Sequence, residues 1–463
     1  MAFSVLFFLF VFLPVFLAVY SFIPWTQFRG WVLFIGSLIF YGWADPYGVL
    51  LLLIVSGWIW ASGLAVERAP ENRRKFTFWS SIAFLLVILL FYKYVDFWLG
   101  SVSSLLGLNL PLLGVTMPLG LSFYIFSAIS YIADIYMGKA RAQTSFLSAG
   151  LFIALFAKVT MGPSVQYHDF ADQLNSRRAS REEIGEGWMR FVKGLAKKVI
   201  IADQLALAFT MMGADNSFLG AWVASLAYTF QLYFDFSGYT DMAIGLGTMF
   251  GFSLPENFDH PYIADSVQNF WRRWHISLSR WFRDYVYIPL GGSRVIDLKY
   301  IRNILIVWLL TGLWHGPSMN FIVWGLYYGL LLLAEKFFYG KYLEKLPHWV
   351  RVVLIFLVAN TGWIFFSHAS FTEGLALLGR TVGIGASSFA SLNSLFVLKS
   401  YLFVFVLAAV FSRDVFGKLQ DFVLIRLRGN GMAVMAGFYV LLFVISVCFM
   451  VASTSQTFLY FAF

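Results

Sequence analysis

Apolar runs of membrane-spanning length follow one another along most of this chain, and they confine it to a fold whose main solvent is lipid. About 20 apolar residues carry a helix across a bilayer. Runs at 2–23, 47–66, 76–99, 117–137, 218–250, 318–338, 349–367 and 432–452 approach or exceed that length. Shorter ones lie at 31–43, 146–162, 199–212, 300–313 and 398–412. The expected architecture is an all-α polytopic membrane protein of about eleven crossings, with re-entrant or half-spanning pieces among the short runs. Composition agrees, with 60% hydrophobic and only 12% charged residues, where soluble domains carry about 25% charged. The 52 Phe and 17 Trp suit lipid-facing surfaces and interfacial belts. The run 2–23 has no basic residue before it and no small-residue cleavage pattern, so it reads as a retained first helix.

Loop charges set the expected orientation. The segment ERAPENRRK (67–75) and the pair Lys139/Arg141 are basic, whereas 100–116 and 44–46 carry no basic residue. The positive-inside rule therefore puts 67–75 and 139–143 in the cytoplasm, 100–116 outside, and the N-terminus outside. The stretch 172–198, with Arg177, Arg178, Arg181, Arg190, Lys193, Lys197 and Lys198, reads as a cytoplasmic amphipathic segment. The same rule makes 271–302 cytoplasmic or interfacial. The net charge of +9 is spread between apolar spans and forms no separate basic domain, which argues against nucleic acid as a partner. The single cysteine, Cys448, excludes an internal disulfide.

Polar chemistry is concentrated in few places. Residues 271–292 read WRRWHISLSRWFRDYVYIPLGG. Trp271, Trp274, His275, Leu278, Trp281, Phe282 and Tyr285 recur at helical spacing and predict one helix over 271–285 with one apolar face. Arg272, Arg273, Ser279, Arg280, Arg283 and Asp284 fill the remainder, an arrangement suited to a membrane interface. His275 falls on the apolar face, an odd position in a mere anchor. A second histidine, His315, lies in TGLWHGP beside Trp314 and is expected in a break between two helical pieces. Non-helical backbone at membrane depth is tolerated where it is buried in protein or lines a cavity. A histidine there has an ordinary pKa near neutrality and suits a general base, although a buried histidine bonded to a carbonyl would look the same. Asp235 and Asp241, in YFDFSGYTD, are read either as proton-handling or histidine-orienting groups or as partners of cytoplasmic arginines. GLGTMFG (245–251) is not the dinucleotide fingerprint and is read as close helix packing. There is no G-x-S-x-G, and no two of the six histidines stand at i, i+3 or i, i+4, so neither a serine triad nor a metal site is supported.

The runs PLGLSFYIFSAISYIADIY (118–136), MGPSVQYHDFADQL (161–174), LYFDFSGYTDMAIGLG (232–247), PENFDHPYIADSVQNFWRRWHISLSRWFRDYVYIPLGG (255–292) and LTGLWHGPSMNFIVWGLYYG (310–329) resemble the membrane-bound O-acyltransferase superfamily. Within it the likeness is to bacterial alginate O-acetyltransferases of the inner membrane, and it runs from residue 1 to about 370. The resemblance implies a ring of helices around a central funnel, forming a single integral membrane domain over 1–463. In that division 1–138 are N-terminal helices, 139–340 a catalytic core with interfacial helices, and 341–463 C-terminal helices. It implies His315 as the family's WHG histidine and His275 as its second histidine. It also implies a cytoplasmic thioester donor such as acetyl-CoA with no resident cofactor, and acyl delivery outward to a periplasmic partner that modifies an exported polysaccharide. Many relatives carry a histidine where this chain has Tyr328, so no third-histidine role is carried over, and Asp259-His260 is assigned none.

The residues fit such a reaction on their own terms. A thioester is already activated, so the enzyme need only deprotonate a hydroxyl and stabilise an oxyanion. Arg272, Arg273, Arg280 and Arg283 suit donor phosphates, while contact with lipid headgroups explains them equally well. Trp271, Trp314, Asp235, Asp241 and Asn320 complete the candidate residues. The rival readings are transfer of D-alanine or another acyl group from a carrier protein to a cell-wall polymer, and a proton-coupled transporter. A transporter should show paired discontinuous helices in two repeats, and no internal repeat is visible.

Overall fold

The computed structural model describes residues 2–174, 179–368, 370–427, 430–452 and 458; Arg177 and Arg178 of the basic stretch lie outside them. The secondary structure of the described residues is helical throughout, apart from one isolated bridge. Among the described residues, six helices are long and apolar enough to cross a membrane: Gly48–Arg68, Glu71–Leu106, Met319–Leu343, His348–Phe366, Leu392–Phe411 and Gly431–Ala452. The chain folds as two compact units.

The first unit comprises Met1–Phe191 and Ala243–Pro255. At its centre the helix Leu121–Tyr136 is buried on every side from Leu121 to Ile135, with its one carboxylate, Asp134, met by His168 at 2.9 Å. It packs against Gly48–Arg68 and Glu71–Leu106. The apolar run expected as a span over 146–162 is helical only over Phe146–Ala154. Buried turns follow through 162, consistent with a re-entrant piece whose polar backbone is enclosed by protein. The glycines of GLGTMFG act as small-residue contacts. A Cβ on Gly245 would stand 2.4 Å from the Gly187 carbonyl oxygen, a distance only glycine allows.

The second unit comprises Val192–Met242 and Glu256–Phe463. Its central hairpin pairs Asp297–His315 with Met319–Ala334. Their backbones meet at two glycines: a Cβ on Gly312 would lie 2.3 Å from the Phe321 oxygen, and one on Gly325 2.3 Å from the Trp308 oxygen. Lys198, the last basic residue of the segment expected to be cytoplasmic and amphipathic, is buried at 2% exposure and ion-paired to Asp235 at 2.6 Å and Asp203 at 2.7 Å. A buried ammonium is tolerable only with such partners.

The single helix expected over 271–285 is two. Val267–Arg273 and Ile276–Phe282 are separated at Trp274-His275, and a wider turn of helix covers Arg283–Tyr287. The interruption comes from a distant segment. Phe258 bridges Trp274, the Asp259 N–H donates to the Arg273 carbonyl at 3.0 Å, and the Ile276 N–H donates to the Asn257 carbonyl at 2.9 Å. These bonds take up backbone groups that a continuous helix would have used internally. Apolar spacing survives such a break, which is why the pattern reads as one helix.

Candidate active site

His275 is the residue at which the two short helices part. It adopts the left-handed conformation, φ 46° and ψ 54°, which costs a non-glycine residue about 1–3 kcal/mol unless its surroundings impose it. Here the bonds to Asn257 and Asp259 impose it. The ring is buried at 2% exposure. The edge of Phe236 stands 4.8 Å away centroid to centroid and Trp314 stands 5.8 Å away. Its Nδ1 lies 3.2 Å from Asn257 Oδ1. The same oxygen accepts the Ser277 backbone N–H at 3.1 Å and the Ser277 hydroxyl at 2.9 Å. His275 lies outside all six spanning helices, and burial drives its imidazole down to about 3, so the ring is neutral at any ordinary pH.

His315 is the last residue of Asp297–His315; the break predicted around it begins one residue later, at Gly316-Pro317, and ends at the Ser318 cap of the next helix. The ring is 5% exposed. It is enclosed by Trp314 at 4.9 Å, Trp324 at 5.0 Å and Phe366 at 5.1 Å. His275 and His315, forty positions apart in the chain, line one cavity of about 260 Å³ together with Trp271, Arg272, Tyr300 and Thr311. Tyr300, Ile304, Val307, Thr311 and His315 of its wall are spaced as one stripe of a single helix. At 1.5 Å per residue that stripe is about 22 Å long, so the cavity is a narrow cleft with His315 at one end.

The remaining candidates separate into two groups. Trp271 belongs to the cleft, with its ring edge-on to Trp308 at 4.6 Å and Tyr328 at 4.7 Å. Its indole N–H is buried and has no acceptor among the described residues. Arg272 lies on the cleft and is exposed. Arg273 is turned to Asp259 at 3.0 Å, while Arg283 and Arg280 are turned to Asp284 at 2.7 and 3.7 Å. Asp235 pairs with Lys198, and Asp241 with Lys197 at 2.7 Å. Of the two sequence readings for these aspartates, ion pairing is the one the geometry displays, with lysines in place of arginines. Asn320 donates through Nδ2 to the His368 carbonyl at 2.6 Å. Tyr328 is fully enclosed between Trp271, Trp308 and Trp324. Sequence reasoning missed Asn257, Ser277, Trp308 and Thr311. Asn257 stands eighteen residues before His275, and no spacing rule connects them. Trp308 and Thr311 share the His315 face of their helix at i−7 and i−4, a signal the helical period could have given.

A many-helix membrane protein that buries two histidines on one aromatic-walled cleft is built as an enzyme. Residues 138–372 match the MBOAT, membrane-bound O-acyltransferase, family, and the chain belongs to that family. It is 41% identical over 394 residues to the probable alginate O-acetylase AlgI of Pseudomonas syringae pv. tomato, covering 83% of this chain and 74% of that one. It is 35% identical to the peptidoglycan O-acetyltransferase of Helicobacter pylori, covering 78% and 75%. To the teichoic acid D-alanyltransferase of Bacillus subtilis it is 30% identical, covering 55% and 69%. The protein is accordingly a multi-pass membrane O-acyltransferase.

Proposed function

We propose that this enzyme O-acetylates an exported polysaccharide from the bacterial inner membrane. In this reading acetyl-CoA or a similar thioester enters from the cytoplasm, and a periplasmic partner protein takes part in delivery to the polymer. The observation that carries the reading is the cleft. It is long, narrow and apolar-walled, has an exposed arginine on its lining and ends on a buried histidine, which suits a thioester carried on a slender arm with phosphates at its far end. His315 acts as the base: it takes the proton of the acceptor hydroxyl as that oxygen attacks the thioester carbonyl. The carbon–sulfur bond then breaks and the sulfur leaves as a thiol, taking up the proton. The indole N–H of Trp271 meets the developing oxyanion. The alginate and peptidoglycan acetylating relatives match more of the chain, at higher identity, than the D-alanyl-transferring one, which favours acetyl over D-alanyl transfer. Membership of an acyltransferase family answers the transporter alternative.

The test is His315→Ala, scored as polymer O-acetylation in cells that carry the variant at normal membrane levels. Removing a general base costs typically 10²–10⁴-fold. Near-normal acetylation would take His315 out of the mechanism.

A further inference from the structure

Three donors converge on the Asn257 side-chain oxygen, and one of them settles which proton His275 carries. The Ser277 backbone N–H, 3.1 Å away, can only donate, so the Asn257 atom facing it is the carbonyl oxygen and the amide orientation is set. The Ser277 hydroxyl is the second donor, at 2.9 Å. An amide oxygen only accepts, so the third contact, His275 Nδ1 at 3.2 Å, must also come from an N–H. In a neutral imidazole the other nitrogen then holds a lone pair. That nitrogen, Nε2, is buried without a hydrogen-bond partner among the described residues, on a ring that lines the cleft. A buried acceptor left unmet is destabilising, and a ligand N–H arriving in the cleft removes that cost.

We propose that Asn257 is a positioning residue that locks His275 in the Nδ1–H tautomer, and that the unmet Nε2 lone pair receives an amide N–H from the arm of the acyl donor. The inference rests on the reading of the cleft as the donor's site. It gives the two histidines separate roles, in which His315 handles the proton and His275 holds the donor. An amide fits better than a hydroxyl because a thioester arm of the pantetheine type carries an amide a short reach from its sulfur. His275 and His315 both pack on Trp314, so a thioester carbonyl beside His315 brings that amide toward His275.

Two measurements test it. Solid-state NMR of the ¹⁵N-histidine-labelled enzyme in lipid, with the His275 signals assigned by their loss in His275→Asn, reads the tautomer directly. The expected result is a protonated Nδ1 and an unprotonated Nε2 in the wild type, with Nε2 moving on addition of S-ethyl-coenzyme A, a non-transferable thioether. A protonated Nε2 overturns the proposal. Asn257→Leu, which keeps the backbone bond to Ile276, should let the tautomer redistribute; an unchanged spectrum removes Asn257 from its role. The second measurement is kinetic, with acetyl-coenzyme A. His275→Asn keeps a donor toward Asn257 and tolerates the left-handed backbone, but it removes Nε2. Its KM for the donor should rise about tenfold, the equivalent of one hydrogen bond, with a smaller change in kcat. A collapse of kcat at unchanged KM would make His275 the proton carrier and overturn the assignment. Failure of the His315 reading is distinguishable: His315→Ala would then stay active while the His275 tautomer remained locked. A wild type that neither bound the thioether nor used acetyl-coenzyme A would overturn the donor half of the proposal along with the donor reading.

Discussion

A histidine whose pKa is pushed down to about 3 by burial stays unprotonated while the pH falls from 8 to 5, the interval in which an ordinary histidine changes charge. Any inflection in the pH profile of kcat/KM in that interval therefore belongs to another group. It is expected to persist in His275→Asn; its disappearance there would show that His275 titrates in the working enzyme. Trp271 offers a sharper substitution. Its indole N–H is buried on the cleft without an acceptor among the described residues, and Trp271→Phe removes that donor while keeping an aromatic ring against Trp308 and Tyr328. Loss of one oxyanion donor typically costs 10²–10³-fold in kcat. The expectation is a loss of that order at nearly constant donor KM, and an unchanged kcat would leave Trp271 a wall of the cleft and nothing more. Both histidines were legible in the sequence because a titratable group among apolar residues stands out. Asn257 was not, because an asparagine before an aromatic residue looks like any loop, and its meaning depends on a pairing made only in the fold.

The hairpin of Asp297–His315 and Met319–Ala334 fixes where His315 can be, and two glycines set how closely its helices approach. A side chain at position 325 would start 2.3 Å from the Trp308 oxygen, and overpacking of this kind costs about 1–3 kcal/mol. Gly325→Val should lower the melting temperature in detergent and reduce acyl transfer, because parting the helices displaces His315 three residues beyond Gly312. Gly437→Ala is the control: nothing lies within 4 Å of a Cβ there, and both readings should stay at wild-type level. A Gly325→Val enzyme with normal stability and activity would mean that the hairpin opens without moving the site. The helix ends around Gly316-Pro317 were readable from residue type alone. The split at His275 was not, since hydrophobic period reports which face is buried and is silent about a backbone bond supplied from residues 257–259.

Asp297–His315, at 19 residues, is about 28 Å long. Its first turns and the loop before it carry Arg294, Lys299 and Arg302, and positive charge marks the cytoplasmic side. The cleft follows this helix from Tyr300 to His315, so in the proposed reading a donor entering at the basic end would reach its reacting carbonyl at the other end of the helix. The loop charges carry an expected orientation in the sequence; the cleft was not readable there, because its wall is assembled from two short helices and a hairpin that only folding brings together. Vectorial transfer follows if the two ends open to opposite sides. In a Cys448→Ala background, which removes the one native thiol, itself exposed, Arg272→Cys reports from the cleft lining and Met319→Cys from four residues beyond His315, both at exposed positions. A membrane-impermeant thiol reagent should label Met319→Cys in intact cells stripped of their outer membrane and spare Arg272→Cys. Inverted vesicles should reverse the pattern. Labelling of both positions from one side alone would rule out passage of the acyl group through this protein and leave an enzyme that acts on its polymer at a single face of the membrane.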